Sequence, residues 1–454
     1  MKHKLPLITV YITNYNYGRY IAQSITSVLN QTYQNFELII IDDGSVDNSK
    51  KIINQFSKNK KIRVVFQKNK GLIISNNIAI KLCRGEYIVR LDADDWLDVN
   101  FLQIMTNHIT KTKDCAMVFC NYYETNIKGE VVKHFYRHEF KKVKLLDQPA
   151  HGACSLINVK ILKELGGYDN SFNCQDGVDL WLKIINKYKV KNVNLPLFFY
   201  RQHNRNLTKN FINVLKNRNK ILKKHSQNKK KKLSILAVIP VRGANYGETL
   251  LALKKIKNKP IIHNIIHQLQ KVFEIKKIIV STPDEKIINN IKKVFKKKIT
   301  VDKREEKLSR INTPINQTLK SILKKIKKNA LKFDFILVVN VVCPFLNSND
   351  FESAINIAKI FNTDEVIAIK KESDNFYKHD GNGLKLVQKN INLSLEREEV
   401  YREIGGLRLV KISKIGKINN IIGHIFLDEK SSFRIKNNQD IILAKAIAQI
   451  NNLI

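Results

Sequence analysis

Short apolar runs rich in β-branched residues recur between stretches of helical character, and this alternation constrains the fold more tightly than any other feature of the chain. Leu7 to Ile12, Glu37 to Ile41, Ile62 to Phe66 and Glu86 to Leu91 each read as a short buried strand. Strands that are apolar on both faces need cover on both, so a largely parallel sheet flanked by helices is expected. The same rhythm restarts at Leu233 to Pro240 and continues through Lys277 to Ser281 and Phe333 to Val342. With 454 residues the chain exceeds one ordinary core. The expectation is therefore two α/β domains, residues 1–205 and 233–454, with 206–232 between them.

In the intervening segment Phe211, Val214, Leu215, Ile221 and Leu222 stand on a basic background, followed by a lysine run from Lys229. This reads as a basic amphipathic helix and a linker. Its apolar stripe can pack on its own domain, the favoured reading, or lie on anionic lipid. The formal net charge of +40 would suit nucleic acid, an anionic surface or phosphorylated substrates. No aromatic-rich basic module accompanies it, and Lys is abundant throughout, so nucleic-acid binding is not expected. The six cysteines form no CxxC pair and no ladder with His, which argues against a zinc site or a disulfide framework and fits a reduced, cytoplasmic protein. No signal-like stretch opens the chain, and the longest largely apolar run, Phe335 to Val342, is too short for a bilayer. Any membrane contact is expected to be peripheral, at the inner face.

Arg90-Leu91-Asp92-Ala93-Asp94-Asp95-Trp96 places three carboxylates directly after an apolar strand. Residues two apart in extended chain point to one side, so Asp92 and Asp94 can converge on one ligand while Ala93 keeps the turn uncrowded. Hard divalent cations take oxygen ligands and bridge to substrate phosphates. Two other strands end in polar groups: Ile8 to Ile12 runs into Thr13-Asn14-Tyr15-Asn16, and Phe36 to Ile41 into Asp42-Asp43-Gly44-Ser45, with Asp47 and Ser49 at a helix start. A parallel sheet brings these strand ends to one edge, where open α/β sheets bind ligands.

Tyr15-Asn16, Gln31-Thr32-Tyr33, Asp42-Asp43-Gly44-Ser45, Gly85-Glu86-Tyr87, Leu91 to Asp95, Gly166-Gly167-Tyr168-Asp169 and Asp176 to Trp181 follow one another in order. In this the first domain resembles a family 2 glycosyltransferase of the GT-A, Rossmann-like nucleotide-diphospho-sugar transferase fold, over about residues 6 to 205. The resemblance implies that Asp42 and Asp43 lie near the nucleotide base and Asp92 near the ribose. Tyr15, Asn16, Gly71 and Ala93 would complete the donor site. It implies Asp94 on a Mn²⁺ or Mg²⁺ ion, His203 near that metal, and Asp176 as general base. Leu180 and Trp181 are expected in the core, Tyr168 and Asp169 in an acceptor loop. The chain departs from the family pattern at Thr13-Asn14 (usually Pro), Asn76-Asn77 (often Arg-Asn) and Gln175 (usually Glu).

In the second domain a strand runs into Arg242-Gly243-Ala244-Asn245-Tyr246-Gly247, a loop able to wrap amides around phosphate. With Lys259 to Ile262, Val280 to Glu285 and Cys343-Pro344-Phe345 it resembles the cytidylyltransferases that make CMP-activated acidic sugars, a nucleotidyltransferase-like α/β fold. Arg242 is the expected phosphate contact, against a solvated-loop alternative. Asn245-Tyr246 replaces the family's Lys, Asn340 to Asn347 lacks its Gln and Arg, and Phe433-Arg434-Ile435-Lys436 stands where paired aspartates would hold Mg²⁺, the nearest carboxylate being Asp440. A catalytically degenerate domain is favoured.

The expected activity is inverting, metal-dependent transfer of a sugar from a nucleotide-diphosphate donor to a hydroxyl of a glycan or lipid-linked acceptor in surface-glycan synthesis. Two alternatives stay open: a bifunctional enzyme that also makes a CMP-sugar, and a non-catalytic binding or scaffold protein.

Overall fold

A computed structural model describes residues 5–450 apart from 138–142, 205, 207–208, 230–231, 243–250, 311, 328–331, 373–375, 382 and 388–399. The chain divides into two compact units, 1–221 with 375–398 and 222–374 with 399–454.

The first unit contains, in order, β1 (Ile8–Asn14), α1 (Ile21–Leu29), β2 (Phe36–Asp42), α2 (Ser49–Phe56), β3 (Ile62–Phe66), α3 (Leu72–Leu82), β4 (Tyr87–Asp92), β5 (Trp96–Leu97), α4 (Phe101–Thr110), β6 (Cys115–Thr125), β7 (Val131–Phe135), β8 (Leu156–Asn158), α5 (Val159–Glu164), α6 (Asp176–Ile185), β9 (Lys189–Arg201) and the start of α7 (Phe211–Gln227). Its nine-stranded sheet runs β3-β2-β1-β4-β8-β6-β9-β5, with β7 beside β6. The four anticipated strands are parallel to one another, and β1 and β2 are buried at every residue. Ile8, Val10 and Ile12 meet Ile21, Ile25 and Val28 of α1 together with Leu38, Ile40, Val89 and Leu91 in one apolar cluster. The opposite face of β1 carries Thr9, Tyr11 and Thr13.

Beyond β4 the expectation of a largely parallel sheet needs correction: β8 is antiparallel to β4 and to β6, and β5 is antiparallel to β9. The joining chain there is not a succession of helical crossovers, so nothing compels parallel pairing.

The second unit holds the rest of α7, then β10 (Ile235–Pro240), β11 (Lys255–Ile256), β12 (Lys259–Pro260), α8 (Ile261–Gln270), β13 (Ile275–Thr282), α9 (Glu285–Phe295), β14 (Thr300–Lys303), α10 (Ile315–Lys327), β15 (Phe335–Val339), α11 (Ser348–Phe361) and β16 (Glu365–Glu372). After the hairpin β17 (Tyr377–His379) and β18 (Leu384–Leu386), whose residues group with the first unit, come β19 (Val400–Lys411), β20 (Ile422–Phe426) and α12 (Asn438–Ile450). The order is β14-β13-β10-β15-β19-β16-β20, parallel through β15 and antiparallel on both sides of β19. The restart of the α/β rhythm thus does mark a second sheet.

The basic amphipathic helix anticipated within 206–232 is α7, and the division between units falls inside it. In the first unit Asn217 Oδ1 accepts from Asn173 N at 3.4 Å, and in the second Ser226 Oγ lies 2.7 Å from Asn356 Oδ1. Ile221 and Leu222 are buried while Phe211 and Ile212 are exposed. Packing on protein therefore accounts for the second half of the apolar stripe.

Candidate active site

The register of the parallel strands builds the edge. Asn14 at the end of β1 pairs with Asp42 at the end of β2, and Thr13 with Asp92 at the end of β4. Asp42 accepts from Asn14 Nδ2 at 2.7 Å, Ser45 Oγ at 2.6 Å and Ser45 N at 3.1 Å. Asn16 adopts a left-handed backbone (φ 60°) that Asn tolerates; its N–H donates to Ser45 Oγ and its Oδ1 accepts from Val46 N. These bonds tie the two loops together and leave Tyr15 half exposed beside them. Asp43 accepts from Lys70 N and Gly71 N at 2.8 Å and from Gln67 Nε2 at 2.7 Å. It shapes the Gly71 loop at the start of α3. Asp47 bonds Ser49 N and Gly18 N, so it serves the start of α2 from one position before the N-cap Asn48.

The acid turn is held from two sides. Asp95 N donates to Asp92 O, and Ser24 Oγ of α1 lies 2.8 Å from Ala93 O. From the end of β9, Arg201 Nε donates to Asp94 O at 3.0 Å and Arg201 N to Asp95 Oδ1 at 2.9 Å. Its guanidinium carbon is 4.7 Å from the Tyr20 ring centre and 4.6 Å from that of Trp96, a cation–π sandwich that fixes the clamp. Two residues on, His203 Nε2 meets Asp94 Oδ2 at 2.9 Å, with the imidazole stacked on Tyr20 and flanked by Tyr17.

The field in this turn is strongly negative. Burial, then repulsion from Asp94 and Asp176, pushes the Asp92 carboxyl up to about 6 in spite of Arg90. Burial together with Asp94 and Asp92 pushes Asp95 well above the carboxylate range, and burial with Asp94 raises the Tyr17 phenol. Among the described residues buried Asp92 Oδ1 and Asp95 Oδ2 accept no hydrogen bond, while Arg90 Nε forms an ion pair with the first at 3.0 Å. A carboxylate oxygen without a hydrogen bond in such a field, as Asp95 Oδ2 is among the described residues, fits a cation. Among the described residues no group of three or more His, Cys, Asp or Glu is placed to hold a metal ion. An ion bound here would have to take most of its shell from substrate phosphate and water, as hard divalent cations can.

Asp176 opens α6 after Gln175, whose φ of 64° is left-handed. It is 7% exposed. Asn76 Nδ2 of α3 donates to its Oδ2 at 3.0 Å, and Arg90 Nη1 of β4 reaches the same oxygen at 2.5 Å. A Cβ on the next residue, Gly177, would stand 2.7 Å from Gly152 Cα, so only glycine lets the two segments pass. Asn77 bonds Tyr168 N, Tyr168 O and Asn170. The Asn76-Asn77 pair, noticed in the sequence only as a departure, thus anchors both the Asp176 carboxylate and the 168–170 loop. Trp181 is buried with its indole N–H on Leu146 O, and Leu180 is buried too; both are core, as expected.

Arg90 is the residue that the sequence reading missed. An arginine two before Asp92 in a strand shares its face, which was the available signal.

In the second unit Arg242 follows β10, and residues 243–250 of the anticipated phosphate loop lie outside the described residues. Arg434 and Lys436 are exposed while Ile435 between them is buried. Asp440 Oδ2 accepts from Lys436 N and Asn437 N, so this carboxylate caps α12. Asp428 accepts from Ser431 N, and burial with the charge of Asp428 pushes Asp350 up to about 7.

Residues 9–166 match the family described as Glycosyl transferase family 2, and residues 236–393 that described as Cytidylyltransferase. A chondroitin synthase of Pasteurella multocida is 28% identical over 194 residues, 42% of this chain and 20% of that protein. The chain thus spans about a fifth of that relative's length. An uncharacterized glycosyltransferase of Methanocaldococcus jannaschii is 30% identical over 240 residues, covering 50% of this chain and 81% of the relative. One from Rickettsia typhi is 31% identical over 220 residues, 46% of this chain and 68% of the relative.

Proposed function

Because the chain belongs to glycosyl transferase family 2 through its first unit and carries a cytidylyltransferase domain in its second, we propose that it transfers a sugar, with inversion and with the help of a divalent cation, from a nucleotide-diphosphate donor to a glycan or lipid-linked hydroxyl. The observation that carries this reading is the pairing of two distinct acidic sites. The Asp92–Asp95 turn has Asp95 Oδ2 without a hydrogen bond among the described residues and Asp94 on His203; the Asp176 carboxylate comes from a separate element and is tied to the turn's strand through Arg90.

Asp94 and His203 would hold Mn²⁺ or Mg²⁺, which when bound offsets charge growing on the leaving diphosphate. Tyr15, Asn16, Asp42, Asp43 and the Gly71 loop line the side for base and ribose, with Asp92 and Ala93 at the ribose–phosphate junction. Asp176 takes the proton of the acceptor hydroxyl as its oxygen attacks the anomeric carbon from the face opposite the leaving group. A single displacement needs no covalent intermediate. The chondroitin synthases among the relatives support a glycan acceptor.

No helix among the described residues is long and apolar enough to cross a membrane. Our reading places the enzyme in the cytoplasm, touching the inner face of the membrane peripherally, which exposed Phe211 and Ile212 on basic α7 support. The second unit we read as a cytidylyltransferase fold that no longer transfers nucleotides. Arg434 and Lys436 occupy the turn where acidic ligands are expected, and Asp440 is committed to a helix cap. Arg242 is the residue there for a phosphate. The test is turnover of UDP-, GDP-, dTDP- and CMP-sugars by purified protein with and without EDTA. Nucleotide release that EDTA abolishes supports the reading; no release from any donor contradicts it.

A further inference from the structure

Arg90 projects from β4 on the same face as Asp92, away from the apolar cluster that Val89 and Leu91 join. The register sets it beside Tyr11 of β1. Only 6% exposed, its guanidinium touches two carboxylates from different parts of the chain: Nε lies 3.0 Å from Asp92 Oδ1 and Nη1 2.5 Å from Asp176 Oδ2. Asp92 ends a strand and Asp176 begins a helix, 86 positions after Arg90.

Resting on the reading of Asp176 as general base, we infer that Arg90 is a positioning residue that fixes the base relative to the donor site and turns its Oδ1 toward the acceptor. Among the described residues the two side-chain donors to Asp176, Arg90 and Asn76, converge on Oδ2, and Oδ1 takes neither bond. A carboxylate gripped at one oxygen by two donors from two elements cannot swing, so its second oxygen keeps one direction. The planar fork of arginine reaches both carboxylates at once, which a lysine ammonium on a flexible stem does not reproduce. The back of the fork is closed as well: a Cβ at Gly152 would stand 3.1 Å from Nη2. In-line displacement requires the acceptor oxygen between base and anomeric carbon, and a misplacement of about 1 Å costs on the order of 10²-fold in rate. Arg90 sets that spacing because it is bonded to the base and paired with the donor-side carboxylate together.

The test is a double-mutant cycle of Arg90→Lys and Asp176→Asn in the full chain, reading kcat, donor KM and melting temperature with a sugar nucleotide that the wild type turns over. Arg90→Lys keeps the charge and, unlike Arg90→Met, leaves no buried carboxylate uncompensated. It should lower kcat by about 10–10²-fold, with donor KM changed less than about threefold. In the Asp176→Asn background the same substitution should cost less than about threefold more, because residues that act as one unit are not additive. Equal costs in both backgrounds, or an unchanged kcat for Arg90→Lys, overturn the role of Arg90 alone. Wild-type rate in Asp176→Asn removes the base assignment and the role of Arg90 with it. A wild type that turns over no sugar nucleotide contradicts the functional reading beneath both.

Discussion

His203 Nε2 lies 2.9 Å from Asp94 Oδ2, so a residue just past the last long strand of the first unit meets the acid turn across 109 positions of sequence. Both are the groups proposed to ligate a cation, and Arg201 clamps the turn that carries Asp94.

Removing either partner should separate their parts. Asp94→Ala should abolish Mn²⁺-dependent donor binding, measured by calorimetry. His203→Ala should raise the Mn²⁺ concentration for half-maximal turnover by about 10–100-fold, the usual scale for losing a supporting group at a metal site. Unchanged Mn²⁺ dependence in both variants would take the metal away from this pair.

Asp176→Asn should lower kcat by about 10²–10⁴-fold, as loss of a general base does, while donor affinity changes little. Steady-state kinetics with donor and acceptor varied in turn give the split. Loss of donor binding with the rate preserved at saturating donor would place Asp176 on the donor side.

Much of this site was legible in sequence because its residues sit at strand ends. Once Ile8 to Ile12, Glu37 to Ile41 and Glu86 to Leu91 are read as parallel strands, Asn14, Asp42 and Asp92 must share an edge. What could not be read was which carboxylates are committed elsewhere. Asp43 and Asp42 are neighbours in the chain, yet Asp43 holds Lys70 N and Gly71 N, a pairing that depends on where the next loop passes. The clamp of Arg201 on the acid turn and the bridge of Arg90 to Asp176 are long-range contacts with no local pattern. Asp440, the nearest carboxylate to the Phe433–Lys436 turn, is spent on capping α12, which its bonds from Lys436 N and Asn437 N show and its place in the sequence does not.

Stability in the first unit should depend on Glu37, buried in β2. Burial alone would raise its carboxyl, but bonds from Thr9 and Arg84 and the charge of Arg63 outweigh it and hold the group below its ordinary range. A depressed folded value means that the stabilisation is complete above the ordinary value of about 4.3 and is lost as pH falls through the folded value. Glu37→Gln should therefore cost about 1–3 kcal/mol at pH 7, the scale of hydrogen bonds to a charged group. The gap between variant and wild type should narrow in acid. Denaturant melts at several pH values check this, and a gap constant with pH would contradict it.

For the second unit, the full chain carrying Asp94→Ala, incubated with CTP, Mg²⁺ and an acidic eight- or nine-carbon sugar, should release no pyrophosphate. Nucleotidyl transfer relies on neutralising the triphosphate's charge. The region expected to supply acidic metal ligands instead presents exposed Arg434 and Lys436. Mg²⁺-dependent pyrophosphate release would make the chain bifunctional.

The most direct test of the central claim measures nucleoside diphosphate released from a sugar nucleotide in the presence of an acceptor, for wild type and Asp94→Ala, after EDTA treatment and after Mn²⁺ is restored. Wild type should release nucleoside diphosphate in a way that EDTA abolishes and Mn²⁺ restores, and Asp94→Ala should show no restoration. Full release by Asp94→Ala in EDTA would contradict it.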